Sequence, residues 1–200
     1  MIFNVLKLSD DTIDDENTSI IPYSSAIPFP YTKMFIPSLI EKQEKGYYCG
    51  PASVKTSVHI MNNASESQST YASSMGTNYN EGTYVYKIAD ELDKRQSKND
   101  YGWKEINNEA DRTRLKEIIN IDLLQNNVPL ISRVYTEELT QYNGKKLVHY
   151  VTVAGINKAM LSGNTIGVIY ADNFFGDYSK AMYLVNIVNN LIILQRQHHI

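Results

Sequence analysis

Cysteine is almost missing from this chain: Cys49 is the single one among 200 residues. One thiol excludes an internal disulfide, and with it the small disulfide-framework scaffolds. There is no paired-cysteine motif and no His-Glu-x-x-His run, so metal-dependent hydrolysis has no support, and no metal or other cofactor is expected. Basic residues are not in excess either: 19 Lys and Arg stand against 22 Asp and Glu, for a formal charge of −3. Phosphate binding favours a basic surface, so nucleic acid is not expected as a main partner. No apolar run has the length needed to span a bilayer. The most apolar late stretch, residues 184–194, is broken by Asn186, Asn189 and Asn190. Residues 1–8 are too short for a secretory signal, and acid follows at Asp10. The default expectation is a cytoplasmic protein, with secretion left open for a processed form.

What is present is enough for one compact domain: 42% of the residues are hydrophobic. Residues 1–34 read as an extended N-terminal segment, acidic at Asp10, Asp11, Asp14, Asp15 and Glu16 and punctuated by Pro22, Pro28 and Pro30. A surface wrap is the preferred reading of that segment over a cover on a cleft, and residues 35–200 form the domain proper. A first helix is expected from Cys49 or Gly50 to about Asn62. Pro51 suits its first turn, and Val54, Val58 and Met61 recur at helical spacing. Residues 65–80 read as a polar loop. A second helix is expected over 83–95, with Tyr84, Ile88 and Leu92 inward, and a third over 112–126, with Leu115, Ile118, Ile119 and Leu123 inward. The period then changes. Strands are expected over 128–135, 147–156 and 165–171, with Asn143-Gly144 as a tight turn. Residues 180–195 fit either strand or helix. Helices before strands predict an α+β fold, helices packed on an antiparallel sheet.

The thiol lies in Gln43-Glu44-Lys45-Gly46-Tyr47-Tyr48-Cys49-Gly50-Pro51-Ala52-Ser53. A helix N-terminus favours a thiolate, because unpaired N–H groups point toward it. Attack on an amide carbonyl then needs donors for the developing oxyanion. The Cys49 backbone N–H and the Gln43 side-chain amide are the candidates. Glycines at 46 and 50 let backbone and substrate approach closely.

A nucleophilic thiol needs a base. Of the four histidines, His59 lies ten residues along the same helix, about 15 Å away at 1.5 Å per residue. His198 and His199 sit at the chain end. His149 remains, on the strand beginning at Leu147. If 147–156 and 166–173 pair as a hairpin around Leu161, His149 falls opposite residue 173. A register error of one or two residues leaves both Asp172 and Asn173 as groups able to orient the imidazole.

Gln43, the run Gly46-Tyr47-Tyr48-Cys49-Gly50-Pro51-Ala52-Ser53, the run His149-Tyr150-Val151-Thr152-Val153-Ala154-Gly155 and Tyr170-Ala171-Asp172 together resemble the C39-like cysteine peptidases. These are bacterial members of the papain-like superfamily. Glu81-Gly82-Thr83 ahead of a helix, and residues 123–131 leading into a strand, match in kind. The resemblance spans roughly residues 35–190. It implies a papain-like fold, the nucleophile helix packed on an antiparallel sheet. It implies Cys49 as nucleophile, His149 as general base and acid, Asp172 as the orienting residue and Gln43 as oxyanion donor, acting on a peptide or protein substrate. Many relatives follow that aspartate with proline; here Asn173 stands, the alternative third residue. The best-known relatives are fused to export ATPases, whereas this sequence has no phosphate-binding Gly-rich loop. The same residues would also serve glutamine deamidation or transglutaminase-like acyl transfer. A non-catalytic peptide-binding module on the same fold is the reading that dispenses with the thiol.

Overall fold

The computed structural model describes residues 33–34, 40–98, 100–106, 109–157, 167–175, 182–186 and 191–196. The rest of the expected N-terminal segment, the turn around Leu161, and His198 and His199 lie outside the described residues.

Helix α1 runs from Cys49 to Asn62, as its stripe predicts: Val54 and Val58 are buried, and half-buried Met61 packs against them. It stops where Asn63 turns left-handed, at φ 53°, and returns its N–H to His59 O at 2.8 Å. Helix α2, Gln68–Met75, replaces the expected loop. The Ser67 hydroxyl accepts from Thr70 N–H at 3.1 Å, and Gly76 (φ 67°) closes the other end. Its buried face is only Tyr71, Ala72 and Met75, with Gln68 at the start. Helix α3 covers Val85–Arg95 with Ile88 and Leu92 inward. Tyr84 departs from expectation: it precedes the helix with extended backbone and is 47% exposed. Helix α4, Glu109–Ile118, continues as a π-helical stretch over Ile119–Gln125, burying Leu115, Ile118, Ile119 and Leu123 as expected.

The strands are β1 Lys33–Met34, β2 Tyr101–Ile106, β3 Leu130–Tyr135, β4 Val148–Asn157, β5 Gly167–Ala171, β6 Met182–Asn186 and β7 Leu191–Arg196. They form one antiparallel sheet in the order β2-β7-β3-β4-β5-β6, with β1 beside the far end of β4. The ambiguous late segment thus resolves into two strands. Strand β2 falls between α3 and α4, where no strand was expected. It leaves Trp103, Lys104 and Glu105 exposed in succession, so it carries no alternating signal. Asn143 and Gly144 form the expected turn, with φ of 50° and 75°.

Alternation along β4 sorts the sheet into two faces. Tyr150 meets the α1–α3 side, where it joins Val54, Val58, Tyr71 and Ile88. Thr152 faces the same way, its hydroxyl donating to Ser53 O at 3.1 Å. Val153 packs instead with Leu115, Ile119 and Leu123 of the α4 layer. Val151, Leu147 and Tyr170 form a third cluster on that second face, with Leu139 and Tyr142. The result is the expected α+β architecture: the cysteine helix lies against an antiparallel sheet. Among the described residues, no helix is long and apolar enough to cross a membrane.

Candidate active site

Cys49 is the first residue of α1, where backbone N–H groups lack helical partners. The turn before it is tight: Tyr48 N–H donates to Lys45 O at 2.9 Å. No acidic residue occupies the first turn to compete with an anion there. Gly50 is required by close packing. A Cβ at that position would lie 2.5 Å from Thr83 Oγ1 and 2.7 Å from Thr83 Cβ. Thr83 is itself held, its hydroxyl to Thr77 at 2.8 Å and its carbonyl accepting from Tyr150 OH at 3.0 Å.

His149 sits at the second position of β4, opposite Val134, and is buried. Asp172 follows the last residue of β5 and has no exposed surface. His149 Nε2 donates to Asp172 Oδ1 at 2.8 Å. That bond leaves Nδ1 as the ring nitrogen for the thiol. Asp172 Oδ1 also accepts from Phe174 N–H at 3.0 Å, and Oδ2 accepts from Tyr142 OH at 2.7 Å. Three donors thus fix the carboxylate. Tyr142 is buried beside this charge, and both burial and the carboxylate push its phenol well above the ordinary value, so it stays a donor. Phe174 closes over the imidazole edge-on at 6.3 Å, with Tyr142 at 5.9 Å.

The thiol and imidazole shift each other. Burial alone pushes the Cys49 thiol up. The hydrogen bond and charge of His149, with the backbone N–H groups of Tyr150 and Gly50, outweigh it and hold the thiol below its ordinary value. Burial likewise favours a neutral imidazole. The charge and hydrogen bond of Asp172, joined by Cys49, override this and raise His149 to about 10. Both shifts favour thiolate and imidazolium over the neutral pair.

Asn173 does not reach His149. Continuing the strand's alternation, it turns to the α1 side, where Nδ2 donates to Glu41 O at 2.7 Å and Thr56 Oγ1 at 3.2 Å. Gln43 is buried on the turn that leads into Cys49. Its Nε2 donates to the carbonyls of Lys45 and Gly46, both at 3.0 Å. His59, ten residues along α1 from Cys49, pairs with Ser65 Oγ at 3.4 Å. Sequence reasoning missed Tyr142 and Gln68. Tyr142 sits in a short 3-10 turn (Thr140–Tyr142) with no periodic signal. Gln68 follows the Ser67 cap, whose Ser-x-x-Thr pattern was the available cue to α2.

Comparison with solved structures finds the peptidase domain of Streptococcus ComA, a bi-functional ABC transporter involved in a quorum-sensing pathway. It is 20% identical, with a TM-score of 0.46, over 80% of this chain and 100% of that chain. No curated protein matches the chain. The model of the Peptidase_C39 like family matches residues 36–188. A cysteine-bearing helix laid on a histidine-bearing antiparallel sheet is the papain-like arrangement of that group. By the span of this match, the chain belongs to the Peptidase_C39 like family.

Proposed function

We propose that this protein is a cysteine peptidase in which Cys49, His149 and Asp172 carry the reaction. The observation that carries the reading is the His149–Asp172 bond at 2.8 Å, with the other side of the ring engaging a thiol at a helix N-terminus. Cys49 Sγ attacks the peptide carbonyl as a thiolate, forming the C–S bond and placing charge on the carbonyl oxygen. The Cys49 backbone N–H and the Gln43 amide receive that oxyanion. One such donor lowers the barrier by about 3 kcal/mol. Gln43 Nε2 has two hydrogens and faces two carbonyls, so donation to the oxyanion exchanges one of those bonds for it. As the intermediate collapses, His149 Nδ1 gives its proton to the leaving amine, and the C–N bond breaks. The neutral imidazole then takes a proton from water, which attacks the thioester and releases the acid. Asp172 holds the ring and favours its cationic form throughout. Residues 35–200 are the catalytic unit in this reading.

Incubation of wild type and Cys49→Ala with a peptide library, read by mass spectrometry, tests it. New termini produced by wild type alone support peptidase action. Glutamine converted to glutamate, or amine incorporated at glutamine, with no new termini, assigns the same thiol to deamidation or acyl transfer. Equal turnover by both proteins, or none by either with slow alkylation of Cys49 by iodoacetamide, sinks the nucleophile and leaves a binding module.

A further inference from the structure

Gln43 belongs to a segment that is held in an unusual way. Residues 41–44 run beside the end of β5 with no described strand pairing of their own. Their backbone polar groups are taken up in alternation by two buried amide residues. Asn173 serves the odd positions: its Nδ2 donates to Glu41 O at 2.7 Å, and its backbone O accepts from Gln43 N–H at 2.8 Å. Gln68 serves the even ones: its Nε2 donates to Lys42 O at 2.9 Å, and its Oε1 accepts from Glu44 N–H at 3.0 Å. Both residues are buried, Gln68 at 0% and Asn173 at 1% exposure. Asn173 Nδ2 also bonds Thr56 Oγ1 at 3.2 Å, which ties the segment to the middle of α1. Lys55 and Glu41, paired at 2.5 Å, add a second tie to the same helix.

We propose that Gln68 and Asn173 are positioning residues that together fix the Gln43 segment, and so set the Gln43 amide on the turn that delivers Cys49. The inference rests on the peptidase reading for its catalytic consequence. A buried amide satisfies neighbouring peptide groups as a strand would, with fixed spacing and little freedom. Without it the segment keeps its sequence but loses its register to α1 and β5. A proline at 173 has no side-chain donor, so the two bonds of Asn173 Nδ2 are specific to a chain with asparagine there. The side-chain hydrogen bonds of both residues go to residues 41, 42, 44 and 56 and not to Cys49 or His149. Their effect therefore falls on the oxyanion side of the site and spares the thiolate.

The test uses Gln68→Ala and Asn173→Ala, each made in the wild type and in Gln43→Ala. Turnover is followed on a fluorogenic peptide amide that the wild type cleaves. Alkylation of Cys49 by iodoacetamide, which forms no oxyanion, is followed in parallel. Each substitution should lower kcat roughly tenfold or more, since a donor displaced by about 1 Å can cost up to a hundredfold. KM and the alkylation rate should change less than about threefold, and in the Gln43→Ala background the same substitutions should add less than about twofold. In nitrogen-15 NMR, the Gln43 side-chain amide hydrogens should exchange faster in both variants. Where truncation prevents folding, Gln68→Glu, which keeps the acceptor for Glu44 and drops the donor to Lys42, serves in its place. Equal losses in both backgrounds, no loss of kcat, or unchanged exchange at Gln43 would each overturn the proposal. If the wild type cleaves no peptide amide, the peptidase reading fails separately, and the exchange measurement alone decides the clamp.

Discussion

Asp172→Asn separates charge from geometry at the centre of the site. Asparagine keeps a side-chain oxygen able to accept from His149 Nε2, so the ring can hold its orientation while the carboxylate charge is gone. His149 is raised from 6.5 to about 10 against a burial effect that lowers it. The displacement favours the cation by an amount on the order of a few kcal/mol, since each tenfold change in the protonation equilibrium is worth about 1.36 kcal/mol. Asp172 is the largest cause that raises it, and Cys49 supplies the rest. Loss of the Asp172 charge lowers the imidazole's affinity for its proton, and a fall of even one pKa unit is a factor of about ten in the protonation equilibrium. The thiol responds in turn, because His149 is the main group opposing its burial. The assay is the rate of iodoacetamide alkylation of Cys49 against pH, read by intact mass. The wild-type profile should turn over below the ordinary thiol range. In the variant the inflection should move up, and the rate at neutral pH should fall at least about fivefold. Superimposable profiles would refute the reasoning, since the carboxylate would then contribute nothing to the state of the pair.

Tyr142→Phe leaves Asp172 Oδ2 buried without its 2.7 Å donor. A hydrogen bond to a charged group is worth about 1.5–3 kcal/mol, and urea unfolding should report a loss in that range; a variant as stable as the wild type would remove Tyr142 from the network. Gly50→Ala places a Cβ 2.5 Å from Thr83 Oγ1. Overpacking of this kind costs about 1–3 kcal/mol, read as a lowered Tm, and an unchanged Tm would mean that the helix tip gives way freely. Stability should also depend on pH through His149. Because its folded value is raised, the contribution is fully present below about 6.5 and lost as pH rises through about 10; His149→Gln should flatten that alkaline limb in a denaturant series. In the proposed mechanism His149 gives a proton to the leaving amine, so peptide turnover should fall on the same limb.

Much of the candidate site's placement was legible in the sequence because it depends on local signals. Gly50-Pro51 and the Val54–Val58 spacing marked α1, which put Cys49 at its N-terminus. His149 followed by elimination. The choice between Asp172 and Asn173 was beyond the hairpin arithmetic, because the true pairing, Thr152 with Ala171 and Val153 with Tyr170, differs by one residue from the assumed one. A single residue of slip exchanges the two faces of a strand, and these neighbours do opposite work on them. Helix α2 stayed hidden because its inward face is a single tyrosine, an alanine and a methionine amid serines. Strand β2 stayed hidden because its partner, β7, lies some 90 residues later and its own pattern is not alternating. Tyr142 and Gln68 act through contacts 30 and 24–26 residues away in sequence, which no short-range pattern reports.

The irregularity in β4 has a consequence for how this fold can vary. Pairing with β5 changes register between Val153 and Gly155, so Ala154 is an extra residue in the ladder. It divides the strand into two lengths that keep separate phase. The near length carries His149, Tyr150 and Thr152; the far length carries Gly155 and Ile156, which pair with β1. A residue gained or lost beyond the bulge reverses inside and outside only up to that point. The far length and strand β1 beside it can thereby shift over evolutionary time without rotating the buried imidazole away from its carboxylate.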